Sequence, residues 1–232
     1  MREPSPQTIY LKDYAAPAFL VTEVDLDIAL FDEHAEVRAR LALRRNPAAP
    51  DAAAPLRLDG DELEFVSAAI DGRALREGEY AIEGGQLVIP RVPREFDLAT
   101  TVRIHPHTNT QLMGLYASQN GFFTQCEAEG FRRITFFPDR PDVMARYTTT
   151  IHADRGSCPM LLSNGNPVAS GEEPGGRHWA KWRDPFPKPS YLFAMVAAKL
   201  DRLDDTFTTR SGRKVALSVP SPIRTMRSGA IA

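Results

Sequence analysis

The sequence predicts an all-β protein: many short antiparallel strands arranged as a sandwich or a curved sheet, with very little helix. Three observations predict it. Apolar residues alternate with polar ones at period two, turn dipeptides recur between apolar runs, and no long amphipathic stretch is free of strand or turn signals.

The clearest alternation is VDLDIAL, where Val24, Leu26, Ile28 and Leu30 are separated by Asp25, Asp27 and Ala29. After the polar turn Asp32-Glu33-His34, Val37, Ala39, Leu41 and Leu43 alternate with charged or small residues. Such a pattern sets one face on a core and the other in water, so two half-buried antiparallel strands are expected. Tyr147–Thr149–Ile151 and the stretch His178–Trp182 follow the same logic. Asp59-Gly60, Asp71-Gly72, Gly84-Gly85, Asn164-Gly165 and Ser211-Gly212 sit between apolar runs, as hairpins with positive-φ turns require. Ala52–Ala54, bracketed by Pro50 and Pro55, reads as loop. One short helix is expected after Asp139, with Asp139 as its cap, Pro141 in its first turn, and Val143, Met144 and Tyr147 facing inward. The stretch from Val219 to Ala232 differs in kind. Pro220 and Pro222 should interrupt a strand and no apolar pattern follows, so a frayed tail is expected there.

Composition excludes more than it assigns. A chain of 232 residues suits one large domain, or one domain and the start of another. With 43% hydrophobic and 25% charged residues it can bury a real core. A formal charge of −2 argues neither for nor against a partner, and with no basic stripe no nucleic-acid partner is expected. The opening MREPSPQTIYLKDY carries charge and prolines where a secretory signal needs apolar residues. No apolar run approaches the ~20 residues needed to span a bilayer, so no membrane partner is expected. Two cysteines, Cys126 and Cys158, are too few for a disulfide framework, and a reduced, cytoplasmic protein is the default reading. None of the five histidines, His34, His105, His107, His152 and His178, has a partner at HExxH spacing, and no metal or cofactor is expected in this chain.

The segment Asn109–Tyr147 carries a more specific signal. It holds GLY at Gly114–Tyr116, TQCEAEGFR at Thr124–Arg132 and DRPDV at Asp139–Val143. In these runs it resembles the bacterial aminopeptidase N branch of the zinc aminopeptidases. The similarity continues through LLSNGN (Leu161–Asn166), DPFPKPSYLFA (Asp184–Ala194) and DTFTTRSGRKVAL (Asp205–Leu217), covering roughly residues 8 to 218. The resemblance implies a saddle-shaped N-terminal β-domain over residues 1–200. Residues 201–218 would open a thermolysin-like catalytic domain, and 219–232 fall outside the family pattern. The family's Gly-Ala-Met-Glu-Asn substrate loop, its HExxH helix and its downstream glutamate ligand do not occur here. A chain truncated before the metal site is therefore expected, by a frameshift, a premature stop or a deliberate cut. Zinc and the catalytic domain would belong to the intact enzyme, and this chain alone would turn over nothing.

The family's glutamine and glutamate of the TQCE run help hold the substrate's free N-terminus, and by motif these are Gln125 and Glu127. An aminopeptidase must tell a chain end from a chain interior, and the distinguishing group is an ammonium. A carboxylate gives it a charge-assisted hydrogen bond; losing such a desolvated partner costs about 2–5 kcal/mol. The plainer alternative is that Glu127 is one of 30 acidic residues, on a solvated loop. Cys126, between the two, is a small buried thiol rather than a nucleophile, since no base is evident nearby. His105-Pro106-His107 reads as surface loop. Glu129, Arg132 and Arg140 are either an ion-pair network behind the site or simply solvated. Trp179, Trp182, Phe186 and Tyr191 are most simply core and edge packing, although an aromatic row would also suit a sugar. That row motivates the alternative function, a stand-alone β-sandwich binding module with an aromatic-lined face.

Overall fold

The computed structural model describes residues 10–119 and 121–221. Seventeen strands follow one another: β1 (Phe19–Leu30), β2 (Ala35–Arg45), β3 (Leu56–Asp59), β4 (Glu64–Ile70), β5 (Arg73–Ala74), β6 (Ala81–Glu83), β7 (Gln86–Ile89), β8 (Glu95–Ile104), β9 (Gly114–Ser118), β10 (Gly121–Gln125), β11 (Met144–Asp154), β12 (Met160–Ser163), β13 (Asn166–Glu173), β14 (Arg177–Pro189), β15 (Met195–Ala198), β16 (Asp201–Thr208) and β17 (Lys214–Ser221). Helix among the described residues is confined to single 3-10 turns of three residues each, such as Phe131–Arg133 and Ser190–Leu192. The all-β expectation holds.

The two alternating runs form the centre of an eight-stranded sheet of order β13-β14-β11-β1-β2-β8-β4-β5. Val24, Leu26, Ile28 and Leu30 are all buried, as are Val37, Ala39, Leu41 and Leu43 across the β1–β2 hairpin. Fully burying each large aliphatic side chain contributes about 1.5–3 kcal/mol, which sets the register, because a one-residue slip would turn the whole apolar set outward. One pairing departs from the antiparallel pattern: β11 lies parallel to β1, with Val24 opposite Tyr147 and Ile28 opposite Ile151. A four-stranded sheet (β12-β15-β10-β9) and a three-stranded sheet (β3-β7-β6) supply the opposing core residues, among them Leu161, Ala197, Leu115, Leu58 and Leu87. Phe131, Ile134, Phe136 and Phe137, from the irregular segment between β10 and β11, complete the same core.

Three expectations need correction. The segment after Asp139 is not helical. Arg140 and Val143 make isolated turn hydrogen bonds and β11 starts at Met144, which is exposed. Pro141 disfavours helical backbone at Arg140, and the Asp139 carboxylate is engaged elsewhere instead of capping. Second, of the five turn dipeptides, Asp71-Gly72, Gly84-Gly85 and Ser211-Gly212 close hairpins, whereas Asp59-Gly60 and Asn164-Gly165 lead from one sheet into another. A positive-φ glycine permits a sharp reversal; whether the next strand pairs back is decided by the core. Gly165 (φ +85°) is held to glycine, since a Cβ there would lie 2.2 Å from the Arg183 carbonyl oxygen. Third, β17 runs through Val219 and Pro220 to Ser221, with Pro220 opposite Arg202. A two-stranded sheet has a free edge, where the missing proline N–H leaves no ladder bond unmade. The rest of the expected tail, 222–232, lies outside the described residues.

The β16–β17 hairpin is a two-stranded sheet of its own. No helix among the described residues is long and apolar enough to cross a membrane.

Candidate functional site

Strand β10, an inner strand of the four-stranded sheet, carries the TQCE run out past its C-terminal end. Its partner β9 carries the GLY run, with Gln125 opposite Gly114 and Phe123 opposite Tyr116. Thr124 turns toward β15, where its hydroxyl accepts from the Met195 N–H at 2.9 Å. Alternation then continues past the strand: Gln125 is exposed, Cys126 buried and Glu127 exposed. The motif's two polar members therefore face water while the thiol between them anchors the backbone in the core. Burial, followed by the nearby Asp139 charge, pushes the Cys126 thiol up to about 12, which leaves no thiolate for nucleophilic chemistry.

The chain reverses immediately after. Gly130 N–H donates to the Cys126 carbonyl at 2.8 Å, closing a turn whose outward tip is residues 127–129. Two glycines make this possible. A Cβ on Gly130 would lie 2.4 Å from the Gln125 carbonyl oxygen and 2.9 Å from the Gly114 nitrogen. A Cβ on Gly114, whose φ is +71°, would meet the Arg133 Cβ at 2.7 Å. The glycines of GLY and of TQCEAEG are thus one device, letting the turn stack directly on β9. The Gln125 side-chain amide donates to the Glu127 carbonyl at 3.0 Å, which orients it and leaves its Oε1 and the Glu127 carboxylate unengaged among the described residues. The Glu127–Ala128 peptide bond is cis.

Two consecutive arginines follow the turn and bind different partners. Arg132 donates through its backbone N–H and its Nε to Asp139 Oδ2, each at 3.1 Å, and lies 3.3 Å from Glu129. Asp139 is buried and also accepts from Ser190 Oγ at 2.5 Å. Arg133, itself buried, pairs with Asp61 at 2.6 Å, with Glu62, and with Gln111 Oε1 at 3.0 Å. So Glu129 and Arg132 do form a network behind the site, but Arg140 does not join it. Arg140 binds Asp142 and the Ala15 carbonyl. Arg133, Ser190 and Asp61 were not legible as part of this frame; the one signal was the doubled arginine itself.

The other sequence candidates lie elsewhere. His105 and His107 are exposed, His105 near Glu64 and His107 edge-on to Phe122, as expected of a surface loop. Trp179 and Trp182 do not form one row. The continuous β11–β14 register puts Trp182 with buried Thr149 and Trp179 with outward-facing His152. Trp182 donates to the Leu161 carbonyl at 3.1 Å, whereas Phe186 is 75% exposed and packs on no core.

Among the described residues no three His, Cys, Asp or Glu side chains come together as a metal-ligand group. The groups there are the Gln125 amide, the single Glu127 carboxylate, unpaired among the described residues, and carboxylates already paired with arginines, and they do not fit a zinc ion. Neither Gln125 nor Glu127 lines any cavity described; the largest, about 1000 Å³, lies between β12–β14 and the hairpin β16–β17. What the site offers is an open, anionic, hydrogen-bond-accepting edge, suited to a small cation.

Comparison with known proteins shows the family of the chain. Residues 21–192 match the Peptidase M1 N-terminal domain. The chain is 53% identical to the aminopeptidase N of Caulobacter vibrioides over 94% of its own length and 25% of that protein's. It is 50% identical to the aminopeptidase N of Escherichia coli over 92% of its length and 24% of that protein's. It thus spans about a quarter of the length of the curated relatives it matches. Among solved structures, Legionella pneumophila aminopeptidase A in complex with aspartic acid superposes with a TM-score of 0.88 at 37% identity, covering 93% of this chain and 25% of that one. The M1 zinc metallopeptidase of Deinococcus radiodurans bound to a Tyr-Ser-Ala substrate shares the fold alone, with a TM-score of 0.75 at 15% identity over 92% of this chain and 50% of that one.

Proposed function

The chain belongs to the M1 peptidase family as that family's N-terminal domain, and from this premise we propose that it supplies half of a recognition site for the free α-amine of a peptide. Glu127 provides the charge, accepting hydrogen bonds from the ammonium. Gln125 Oε1 provides a second acceptor without adding charge. The observation that carries the reading is the inside-out alternation at Gln125, Cys126 and Glu127, which presents both polar groups at one exposed edge on a glycine-stacked turn. An ammonium held there has its charge matched and its donors directed. An acylated or internal amide nitrogen has neither the charge nor the donors.

Metal chemistry has to come from residues outside these 232, and the zinc of the intact enzyme is part of this proposal. So is its substrate class, peptides with free N-termini. Residues 1–200 form the supporting β-domain, and 201–218 begin the unit that follows it. The separate two-stranded hairpin supports that division. A cytoplasmic setting is supported by two cysteines that are both free and buried. Alone, the chain hydrolyses nothing and binds free amines weakly, because one edge of the pocket cannot exclude water.

Titration of the ¹⁵N-labelled chain with L-alaninamide, followed by NMR, tests the reading. Shifts are expected at residues 125–127, absent with N-acetyl-alaninamide and lost in E127Q. Equal responses to the free and the acetylated ligand would refute it.

A further inference from the structure

Residues 127–129, the tip of the turn that presents the amine half-site, are all exposed. Among the described residues three polar contacts restrain that tip. Gly130 N–H donates to the Cys126 carbonyl at 2.8 Å, the Gln125 amide donates to the Glu127 carbonyl at 3.0 Å, and the Glu129 carboxylate pairs with Arg132 at 3.3 Å. The first two are internal to residues 125–130. The third alone ties the tip to another element, the 3-10 turn Phe131–Arg133.

An ion pair between two freely rotating surface side chains orders little, because both must be immobilised to form it. Arg132 is different. Its guanidinium rests on Asp139, whose side chain is 1% exposed. Nε meets the Asp139 carboxylate at 3.1 Å, Nη2 meets the Asp139 carbonyl at 3.2 Å, and Ser190 Oγ holds the same carboxylate at 2.5 Å. Asp59, at 3.9 Å from Arg132, adds a further negative group. The planar fork is fixed before Glu129 arrives, so only Glu129 loses rotamer freedom when the pair forms.

We propose that Arg132 is the positioning residue of the half-site. Held by buried Asp139, it anchors Glu129 and so fixes the tip on which Glu127 meets an ammonium. It also satisfies the Glu129 charge, leaving Glu127 as the tip's free carboxylate. The inference rests on the reading of Gln125 and Glu127 as amine-binding residues, and its test separates the two. A lysine at this position cannot span Asp139 and Glu129 together, so R132K should behave like R132Q, not like the wild type.

The experiment is NMR on the 232-residue chain and its R132K, R132Q, E129Q and R132Q/E129Q variants, with two readouts. One is L-alaninamide affinity. Each single variant is expected to weaken it about fivefold through lost preorganisation, and the double variant no further, since both changes break one tether. The other readout is the Gln125 side-chain amide signal, which reports the contact to the Glu127 carbonyl without any ligand and should move toward the free-glutamine value in every variant. E129Q alters a solvated side chain, so it carries the test even if the arginine variants fail to fold. An unmoved Gln125 amide in E129Q overturns the positioning role, whatever the ligand does. A moved amide in E129Q, with no alaninamide binding by the wild-type chain, supports the tether and overturns the amine reading.

Discussion

Replacing Gly130 by alanine adds one methyl group where the backbone has no room for it. Gly130 lies in ordinary helical φ/ψ space, φ −82° and ψ −15°. At such a position alanine normally stabilises a protein by about 0.4–1 kcal/mol, because it reduces the freedom of the unfolded chain. Here the new Cβ would sit 2.4 Å from the Gln125 carbonyl oxygen, 2.9 Å from the Gly114 nitrogen and 3.0 Å from the Cys126 Cα. All three are backbone atoms, so no flexible side chain can move aside. Either the turn lifts from β9 or the β9–β10 ladder bends. Overpacking of this kind costs about 1–3 kcal/mol, and subtracting the entropic gain leaves a net loss of up to about 2.6 kcal/mol. Urea unfolding followed by tryptophan fluorescence measures it. Gly175 is the control: its φ is +76° but nothing lies within 4 Å of its added Cβ, so G175A carries only the left-handed backbone penalty. The geometry also predicts a coupled effect at the surface, since displacing the Gln125 carbonyl moves the amide that braces Glu127. A G130A chain as stable as the wild type, or more so, with an unmoved Gln125 amide signal, would refute the close packing on which the site description depends.

Other expectations come from individual groups. His152 faces two carboxylate acceptors, Asp27 at 3.2 Å from Nε2 and Glu173 at 2.7 Å from Nδ1, and these contacts, Asp27 first, raise its pKa above the ordinary 6.5 against the opposing effect of burial. Its contribution is therefore complete below about pH 6.5 and lost as pH rises through the raised value. Asp27 is lowered by the same contact, so its share is lost only when pH falls below the ordinary carboxylate range. H152Q should accordingly cost more at pH 5.5 than at pH 9, by less than about 1 kcal/mol for so partly exposed a group, and a cost independent of pH in urea titrations would contradict the pairing. Cys126 and Cys158 are both buried with raised thiol pKa values; neither should react with a disulfide reagent at pH 8 until denaturant is added, and rapid labelling of the native chain would show the thiols to be accessible. On the hairpin, Leu203, Phe207, Val215, Leu217 and Val219 share one face by register, while Arg202, Ala216, Ser218 and Pro220 line the cleft beside β12–β14. The chain is expected to self-associate through that apolar face, and sedimentation should show F207S/L217S to be more monomeric than the wild type.

The central sheet was legible because its pattern has one solution. Val24 to Leu30 and Val37 to Leu43 alternate without interruption, and only a half-buried hairpin buries both apolar sets together. Where the pattern was local, the reading went less far. Asn164-Gly165 looks like Asp71-Gly72, yet one changes sheets and the other closes a hairpin. The difference lies not in the dipeptide but in the strand that leaves it. Asn166–Glu173 carries polar and small residues that pair with β14, in the other sheet, instead of returning to β12. The parallel β1–β11 contact was invisible for the same reason, since 114 residues separate β1's Leu30 from Met144. The helix expected after Asp139 failed because a capping residue is identified by where its carboxylate goes, and this one goes to Ser190 and Arg132.

The site divides along the same line. Gln125 and Glu127 are singled out by their motif, and strand alternation explains why they, and not Cys126, reach water. Their support was not found, because it consists of contacts between segments distant in sequence. Arg133 reaches back 72 residues to Asp61, and Asp139 reaches forward 51 to Ser190. Arginine pairs suggest solvated charge until burial is known, and here burial separates the two: Arg133 is 7% exposed while Arg132 keeps a quarter of its side chain in water. The buried one fastens the turn to the loop at 61–62. The quarter-exposed one touches both a buried carboxylate and a surface glutamate, and a residue of that kind can carry rigidity from a core to the proposed half-site. The doubled arginine in TQCEAEGFRR therefore makes two distinct sets of contacts, Arg132 with Asp139 and Glu129 and Arg133 with Asp61 and Glu62.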